Sequence, residues 1–156
     1  MAKTSAGILL YRIVGHLEVL LVHPGGPFWV NKDGGAWSIP KGEFDPSLED
    51  GLAAAGREFE EELGSPMPDG DVRTLGEVEQ RAGKVVAAWA LEGDLEPESV
   101  VSNTFTTEWP PRSGRMQEFP EVDRAKWVGL AEARMLINPA QAAFLDRLEA
   151  LYDAQQ

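Results

Sequence analysis

The sequence predicts an α/β protein with a central mixed β-sheet between helices, and three observations carry that reading. Short apolar, β-branched runs and longer amphipathic runs alternate along the chain as strands, helix, strands and helices, an order that lays helices over a sheet. The 156 residues are 43% hydrophobic with five Trp and six Phe, enough for a real core and against disorder. One helical stretch near the middle concentrates charge of a single sign: eight of the 26 acidic residues fall between Gly42 and Ser65. Residues 1–156 read as a single domain, without internal repeat or low-complexity tract.

Residues 4–12 and 17–23 read as two strands of a buried sheet, separated by a turn at Gly15 and His16. His16 falls in the turn and His23 at the end of the second strand. With no metal-ligand partner nearby in sequence, each reads as a surface or edge histidine. Segment 24–36 is too rich in Gly and Pro to be regular, and long loops in compact domains often bind ligands. Phe28, Trp29 and Lys32 could meet a base and a phosphate there, or the aromatics could only pin the loop to the core. A short strand follows from Trp37 to Gly42.

Asp50 is a good N-cap and Gly64 a good C-terminal stop, so the segment between them predicts one helix of roughly 13 residues. At about 100° per residue, Leu52, Ala55, Phe59 and Leu63 share one arc and bury against the sheet. Glu58, Glu61 and Glu62 share the adjoining arc, and Glu60 points to solvent. Gly51 and Ala54 complete the acidic arc and take up little room, which predicts an open floor lined by carboxylates. Like charges three or four residues apart cost roughly 0.2–0.5 kcal/mol per pair in water and more where water is partly excluded. Something positive should offset that cost. Hard oxygen ligands without His or Cys point to Mg²⁺ or Mn²⁺ rather than zinc. The bland alternative is a solvated surface helix with a run of Glu.

After the helix, residues 72–80 and 84–91 predict a hairpin turning at Ala82 and Gly83, its second arm and Trp89 in the core. Residues 92–98 form a solvated acidic loop, and 104–109 alternate weakly. Pro110 to Arg115 breaks regular structure and sets Arg112 and Arg115 beside Trp109. An aromatic that stacks a base, next to guanidiniums that bind phosphate, suits a nucleotide, although most such loops are only loops. From Glu118 an acidic loop enters a last strand at Lys126 to Val128. A short helix covers 130–136. Asn138 then caps and Pro139 opens a final helix with Phe144, Leu145, Leu148, Leu151 and Tyr152 as its buried stripe.

A net charge of −12 makes a nucleic-acid polymer an unfavourable partner, whereas a small polyphosphate remains acceptable if metal ions bridge the two anions. The absence of cysteine excludes disulfides, a thiol nucleophile and a thiolate zinc site. The apolar run from Ala6 to Tyr11 is too short for a signal peptide or a membrane span, so the expectation is a cytoplasmic protein with no membrane partner.

Gly42, Glu49, Arg57, Glu58, Glu61, Glu62 and Gly64 together resemble the signature of the Nudix hydrolases: a glycine, a glutamate and an REUxEExG run in which U is aliphatic or aromatic. The chain departs from it in two places. One extra residue stands between Gly42 and Glu49, which should bulge the loop without turning the helix, and Ser65 replaces an aliphatic residue. The segment WSIPKGE also resembles the WxxPKGH run of Nudix enzymes that cleave diadenosine polyphosphates, with Glu43 in place of the histidine. The resemblance implies a Nudix-type α/β/α sandwich and an Mg²⁺-dependent pyrophosphohydrolase, with Mn²⁺ as a substitute, that converts NDP-X to NMP and phospho-X. The substrate would be a nucleoside triphosphate, oxidised ones included, or a dinucleoside polyphosphate.

By the same resemblance Glu58, Glu61, Glu62 and the backbone carbonyl of Lys41 would hold metal, while Glu58, Arg57 and Glu61 would serve catalysis. Arg57 would orient Glu58 and pair with Glu49. Gly42, Glu49 and Gly64 would be structural within the motif. A further carboxylate would come from Glu118 or Glu121. Lys41, Trp29, Trp109, Arg112 and Arg115 are the candidates for substrate contact. Family members are often dimers, which makes a homodimer admissible. The rival reading is a Nudix-fold nucleotide-binding or regulatory module that has lost hydrolysis.

Overall fold

The computed structural model describes residues 3–154. Eight strands and three helices run in the order β1 (Thr4–Ile13), β2 (Leu17–Pro24), β3 (Lys41–Phe44), α1 (Gly51–Leu63), β4 (Val72–Glu79), β5 (Val85–Glu92), β6 (Thr104–Glu108), β7 (Met116–Pro120), β8 (Val122–Gly129), α2 (Leu130–Leu136) and α3 (Ala142–Ala154). Six strands form one mixed sheet, ordered β4-β5-β1-β2-β8, with β3 attached to β1. The expected mixed sheet between helices is therefore present.

β1 organises the sheet because its two halves have different neighbours along one edge. Thr4 to Gly7 pairs antiparallel with β3, and Tyr11 to Ile13 pairs antiparallel with β2. Its other edge runs parallel to β5 from Thr4 to Tyr11. Side chains alternate across the pleat, so the strand feeds two cores. Ala6, Ile8 and Leu10 pack with Ala54, Ala55, Phe59 and Leu63 of α1. Leu9 packs on the other face with Phe144, Leu145 and Leu148 of α3. These two layers of apolar contact are what make the architecture an α/β/α sandwich.

Four local expectations need correction. The strand expected at 37–42 begins at Lys41, and the preceding residues make only the isolated bridges Val22 to Ser38 and Trp37 to Ile137. Ser38 and Ile39 turn instead toward Gln141, whose buried amide oxygen accepts the Ile39 N–H. The acidic loop expected from Glu118 is strand: β6 and β7 form a separate two-stranded hairpin, and β8 starts at Val122. Trp89 is only half-buried, at the border of the α1 core. His23 is not an edge residue but fully buried.

Elsewhere the boundaries agree. The β4–β5 turn uses Ala82 and Gly83 at positive φ, the conformation that a tight reversal requires. Asn138 accepts a hydrogen bond from the Ala140 N–H and opens the turn that leads into α3. Among the described residues, no helix is long and apolar enough to cross a membrane.

Candidate active site

α1 begins at Asp50, whose carboxylate accepts the Ala53 N–H at 3.2 Å. It ends at Gly64, which adopts a left-handed φ of 79° and donates its N–H to the Glu60 carbonyl. This conformation is costly for any residue with a Cβ. Phe59, Ala55 and Leu63 bury against the sheet, while Glu58 is 8% exposed at the margin of that face. The N-terminal half of the acidic arc is not an open floor. A Cβ on Gly51 would meet Trp89 at 2.9 Å, and Ala54 is wholly buried. Aromatic packing fills that space, so the carboxylates of the arc belong to the last two turns.

Arg57 gathers three of the carboxylates. Its Nε and Nη2 donate to the two oxygens of Glu49 at 3.0 and 2.9 Å, a bidentate pair. Its Nη1 donates to Glu58 Oε1 at 2.9 Å and lies 3.4 Å from Glu61 Oε1. The hydrogen bonds from Arg57 hold the Glu49 carboxyl below its usual range. Glu58 moves the other way: burial, reinforced by Glu61, raises its pKa against the pull of Arg57. Glu58 also lies directly on Gly42, where a Cβ would stand 1.9 Å from Oε2.

Glu62 points into a cavity of about 130 Å³ lined by Val22, Pro24, Ser38, Ile39, Lys41, Glu121 and Val122. It accepts the Lys41 N–H at 3.1 Å. Burial pushes its pKa up to about 8; the Lys41 N–H and ammonium oppose that rise, while Glu121 and Glu58 add to it. Burial likewise lowers the Lys41 ammonium, which Glu62 partly restores. Glu121 is raised by burial and by Glu61. Four carboxylates thus feel one another across a small space; Arg57 is in direct contact with Glu58 and Glu61, and Lys41 meets Glu62 through its backbone N–H. Two wider grooves, each about 510 Å³ and sharing Glu92 and Gly93, are lined by none of these residues.

Hydrogen bonds between backbone groups tie Glu121 to the helix. The Asn103 N–H donates to the Glu61 carbonyl at 2.8 Å, the Glu121 N–H to the Asn103 carbonyl at 2.9 Å, and the Gly25 N–H to the Glu121 carbonyl at 2.9 Å. Between the two candidates for a further carboxylate, the fold therefore brings Glu121 to the cluster. Glu118 stays exposed on β7, opposite Thr106 of β6.

Apart from Lys41 at the start of β3, the candidate substrate contacts lie on two neighbouring segments. Trp29 is 39% exposed in the 24–36 loop, with Lys32 Nζ 5.2 Å from its ring centroid. Phe28 stands edge-on to Trp109 at 5.4 Å, which joins that loop to the end of β6. These aromatics face solvent and the hairpin, so they do not pin the loop to the main core. Arg112 and Arg115 are exposed in the β6–β7 turn, and among the described residues their guanidiniums make no hydrogen bond or ion pair with the carboxylates. Sequence reasoning missed Asn103 and Gln141, which carry no motif. It also misread His23, where the only signal was its place at the end of an apolar strand.

Among the described residues, no three His, Asp or Glu side chains already converge on one point as metal ligands do. The donor set nevertheless fits a hard divalent cation: Glu58, Glu61, Glu62 and Glu121 supply only oxygen, and burial and neighbouring carboxylates raise the pKa of three of them, a cost that a cation would relieve.

A family model described as NUDIX domain matches residues 1–148. No curated protein matches the sequence. Among solved structures, an Ap4A hydrolase binary complex from C. elegans is 23% identical and aligns with a TM-score of 0.67 over 96% of this chain and 98% of its own. A mutT/nudix family protein from Listeria innocua is 17% identical, with a TM-score of 0.64 over 98% of this chain and 95% of its own. A Nudix hydrolase from M. smegmatis is 25% identical, with a TM-score of 0.59 over 98% and 87%.

Proposed function

The chain belongs to the NUDIX family of hydrolases, and from that premise we propose that it is an Mg²⁺-dependent pyrophosphohydrolase converting NDP-X to NMP and phospho-X. Its substrate is a nucleoside triphosphate, oxidised bases included, or a dinucleoside polyphosphate. One observation carries the reading: Glu62 and Glu121 share a cavity with Lys41 at the start of β3, and Arg57, paired with Glu49, holds Glu58 and Glu61 on the same helix.

Hydrolysis of a phosphoanhydride needs charge neutralised on the phosphate, a water deprotonated, and the two held in line. Mg²⁺, or Mn²⁺ in its place, would be held by Glu58, Glu61, Glu62 and the Lys41 carbonyl, with Glu121 as a further donor, and supplies the neutralising charge when bound. Glu58 is the best-placed base: its raised pKa suits proton acceptance, and Arg57 fixes one of its oxygens. Lys41 offers an ammonium to a phosphate oxygen. Trp29 and Trp109 offer faces for a base, and Arg112 and Arg115 charge for an outer phosphate. The C. elegans neighbour is an Ap4A hydrolase by name, but its likeness extends to the fold alone, and Glu43 replaces the histidine of that group's motif.

The deciding experiment is release of phosphate, pyrophosphate or nucleoside monophosphate from a panel of nucleoside triphosphates, oxidised triphosphates, dinucleoside polyphosphates and nucleotide sugars, with Mg²⁺ and with EDTA. Metal-dependent turnover of one class identifies X. No turnover, with Mg²⁺ still raising the melting temperature, would move the protein to the nucleotide-binding module without hydrolysis.

A further inference from the structure

His23 closes β2 fully buried, and neither atom that its ring nitrogens meet is a donor in its ordinary state. Nδ1 lies 2.9 Å from Asp123 Oδ1, and Nε2 lies 2.6 Å from the Lys32 carbonyl oxygen. A carboxylate and a carbonyl accept, so both contacts are hydrogen bonds only when both ring nitrogens carry protons. A neutral ring would set a lone pair against a lone pair at that distance, in a fully buried site. Asp123 is the charged group of the sheet in contact with the ring; it lies 3.6 Å from its neighbour Arg124 on β8, and Arg124 and Lys126 stand over the Trp37 ring at 5.2 and 5.5 Å. Asp33 faces its surroundings from the loop through the Trp37 indole, to which it bonds at 2.7 Å, and Trp37 stands edge-on to His23 at 5.2 Å.

What the ring grips is the 24–36 loop. Its start is tied by the Gly25 N–H to Glu121 and its end by Asp33 to Trp37. The exposed stretch between carries Phe28, Trp29 and Lys32, and the grip of His23 falls on the Lys32 backbone. Lys32 then reaches back over Trp29. We infer that His23 is a positioning residue, a doubly donating ring that sets where the Phe28–Lys32 stretch stands against Trp109 and thereby sets nucleotide affinity.

The affinity half of this inference rests on the proposed function; the protonation half does not. The chain has two histidines, so a His16→Gln protein labelled with ¹⁵N in its remaining histidine gives one set of ring signals. Both nitrogens are expected to carry protons in the folded protein, as the two contacts require, and one unprotonated nitrogen would overturn the inference. His23→Gln and His23→Phe should each raise KM for the active substrate about tenfold with kcat within about threefold, the loss of one charged hydrogen bond. Unchanged KM in either folded variant also overturns it. If the wild type turned over nothing in the panel, the hydrolase reading would fall while the ring spectrum still decided the state of His23. If neither variant folded, the loop would be held for stability alone, and the affinity role would be rejected.

Discussion

A Cβ on Gly42 would stand 1.9 Å from Glu58 Oε2, so the Glu58 carboxylate occupies the space that any other residue at 42 would fill. β3 and α1 meet there, and the glycine is what lets the carboxylate lie flat against the strand. The obstacle is the tip of a flexible side chain rather than backbone, so Gly42→Ala should fold. Glu58 must swing away, and a displacement of about an ångström at a reacting group costs on the order of a hundredfold. We expect kcat/KM to fall by about that factor with a melting temperature within a few degrees of wild type. Full activity in a folded Gly42→Ala protein would remove Glu58 from the chemistry.

Glu62 makes the metal-free protein sensitive to pH in a defined direction. Its folded pKa is about 8 against an ordinary value of 4.5, because burial disfavours the charge. Between those values the folded state holds a proton that the unfolded state has lost, so stability falls as pH rises through the window. Below it both states are protonated and the penalty is absent; above it the penalty is complete and constant. Glu58 and Glu121 are raised as well and act in the same sense. In EDTA the melting temperature should drop between pH 5 and pH 8, and Glu62→Gln should flatten that drop. Mg²⁺ added at pH 8 should stabilise the wild type more than Glu62→Gln. A flat wild-type profile would mean that the carboxylate is better hydrated than its position indicates.

Arg57 cannot be replaced by lysine without breaking the geometry around it. Three of its nitrogens serve Glu49 and Glu58 in one plane, and an ammonium cannot reproduce that fork. Both Arg57 and Glu49 remain partly exposed, so the ion pair adds little to stability. Arg57→Lys should therefore leave the melting temperature nearly unchanged and lower kcat about ten- to a hundredfold. An unchanged kcat would assign the pair to structure alone.

Glu121 and Glu118 are three residues apart, and only Glu121 lines the cavity with Glu62. Glu121→Gln should lower kcat or raise the Mg²⁺ concentration needed for half-maximal rate, while Glu118→Gln should match wild type in both. The reverse pattern would place the further carboxylate on the hairpin and require it to fold over the site.

The parts of this molecule that could be read in advance are those whose determinants lie close together in sequence. α1 is bounded by a capping Asp50 and a left-handed Gly64, and one helical period sorts its faces, so its extent and its acidic side followed from the residues themselves. The β6–β7 hairpin was obscured because it covers no large core: its strands expose most of their side chains, and only half-buried Phe105 and Phe119 hint at pairing. The burial of His23 is hidden from the sequence for a different reason. It depends on Lys32 and on Asp123, the second of which lies 100 residues away. The choice of Glu121 over Glu118 likewise depends on backbone links to Asn103 and Gly25, which no local pattern encodes.

Gln141 shows how a residue without a motif supports the site. Its buried amide oxygen accepts the Ile39 N–H at 3.1 Å, and its amide nitrogen donates to Ser38 Oγ and Gln80 Oε1 at 3.0 and 3.1 Å. Those bonds hold the bend that delivers Lys41 to Glu62, in a place where the sheet offers Ile39 no partner. Gln141→Leu keeps the volume and removes all three bonds, leaving the Ile39 N–H buried and unpaired. An orphaned buried donor costs about 1–3 kcal/mol, so chemical denaturation should show a loss of that order. Because the bend also sets the Lys41 backbone, kcat should fall in the same variant under conditions where it is fully folded. A stability loss with wild-type kcat would show that Lys41 is positioned by β3 pairing with β1 and not by Gln141.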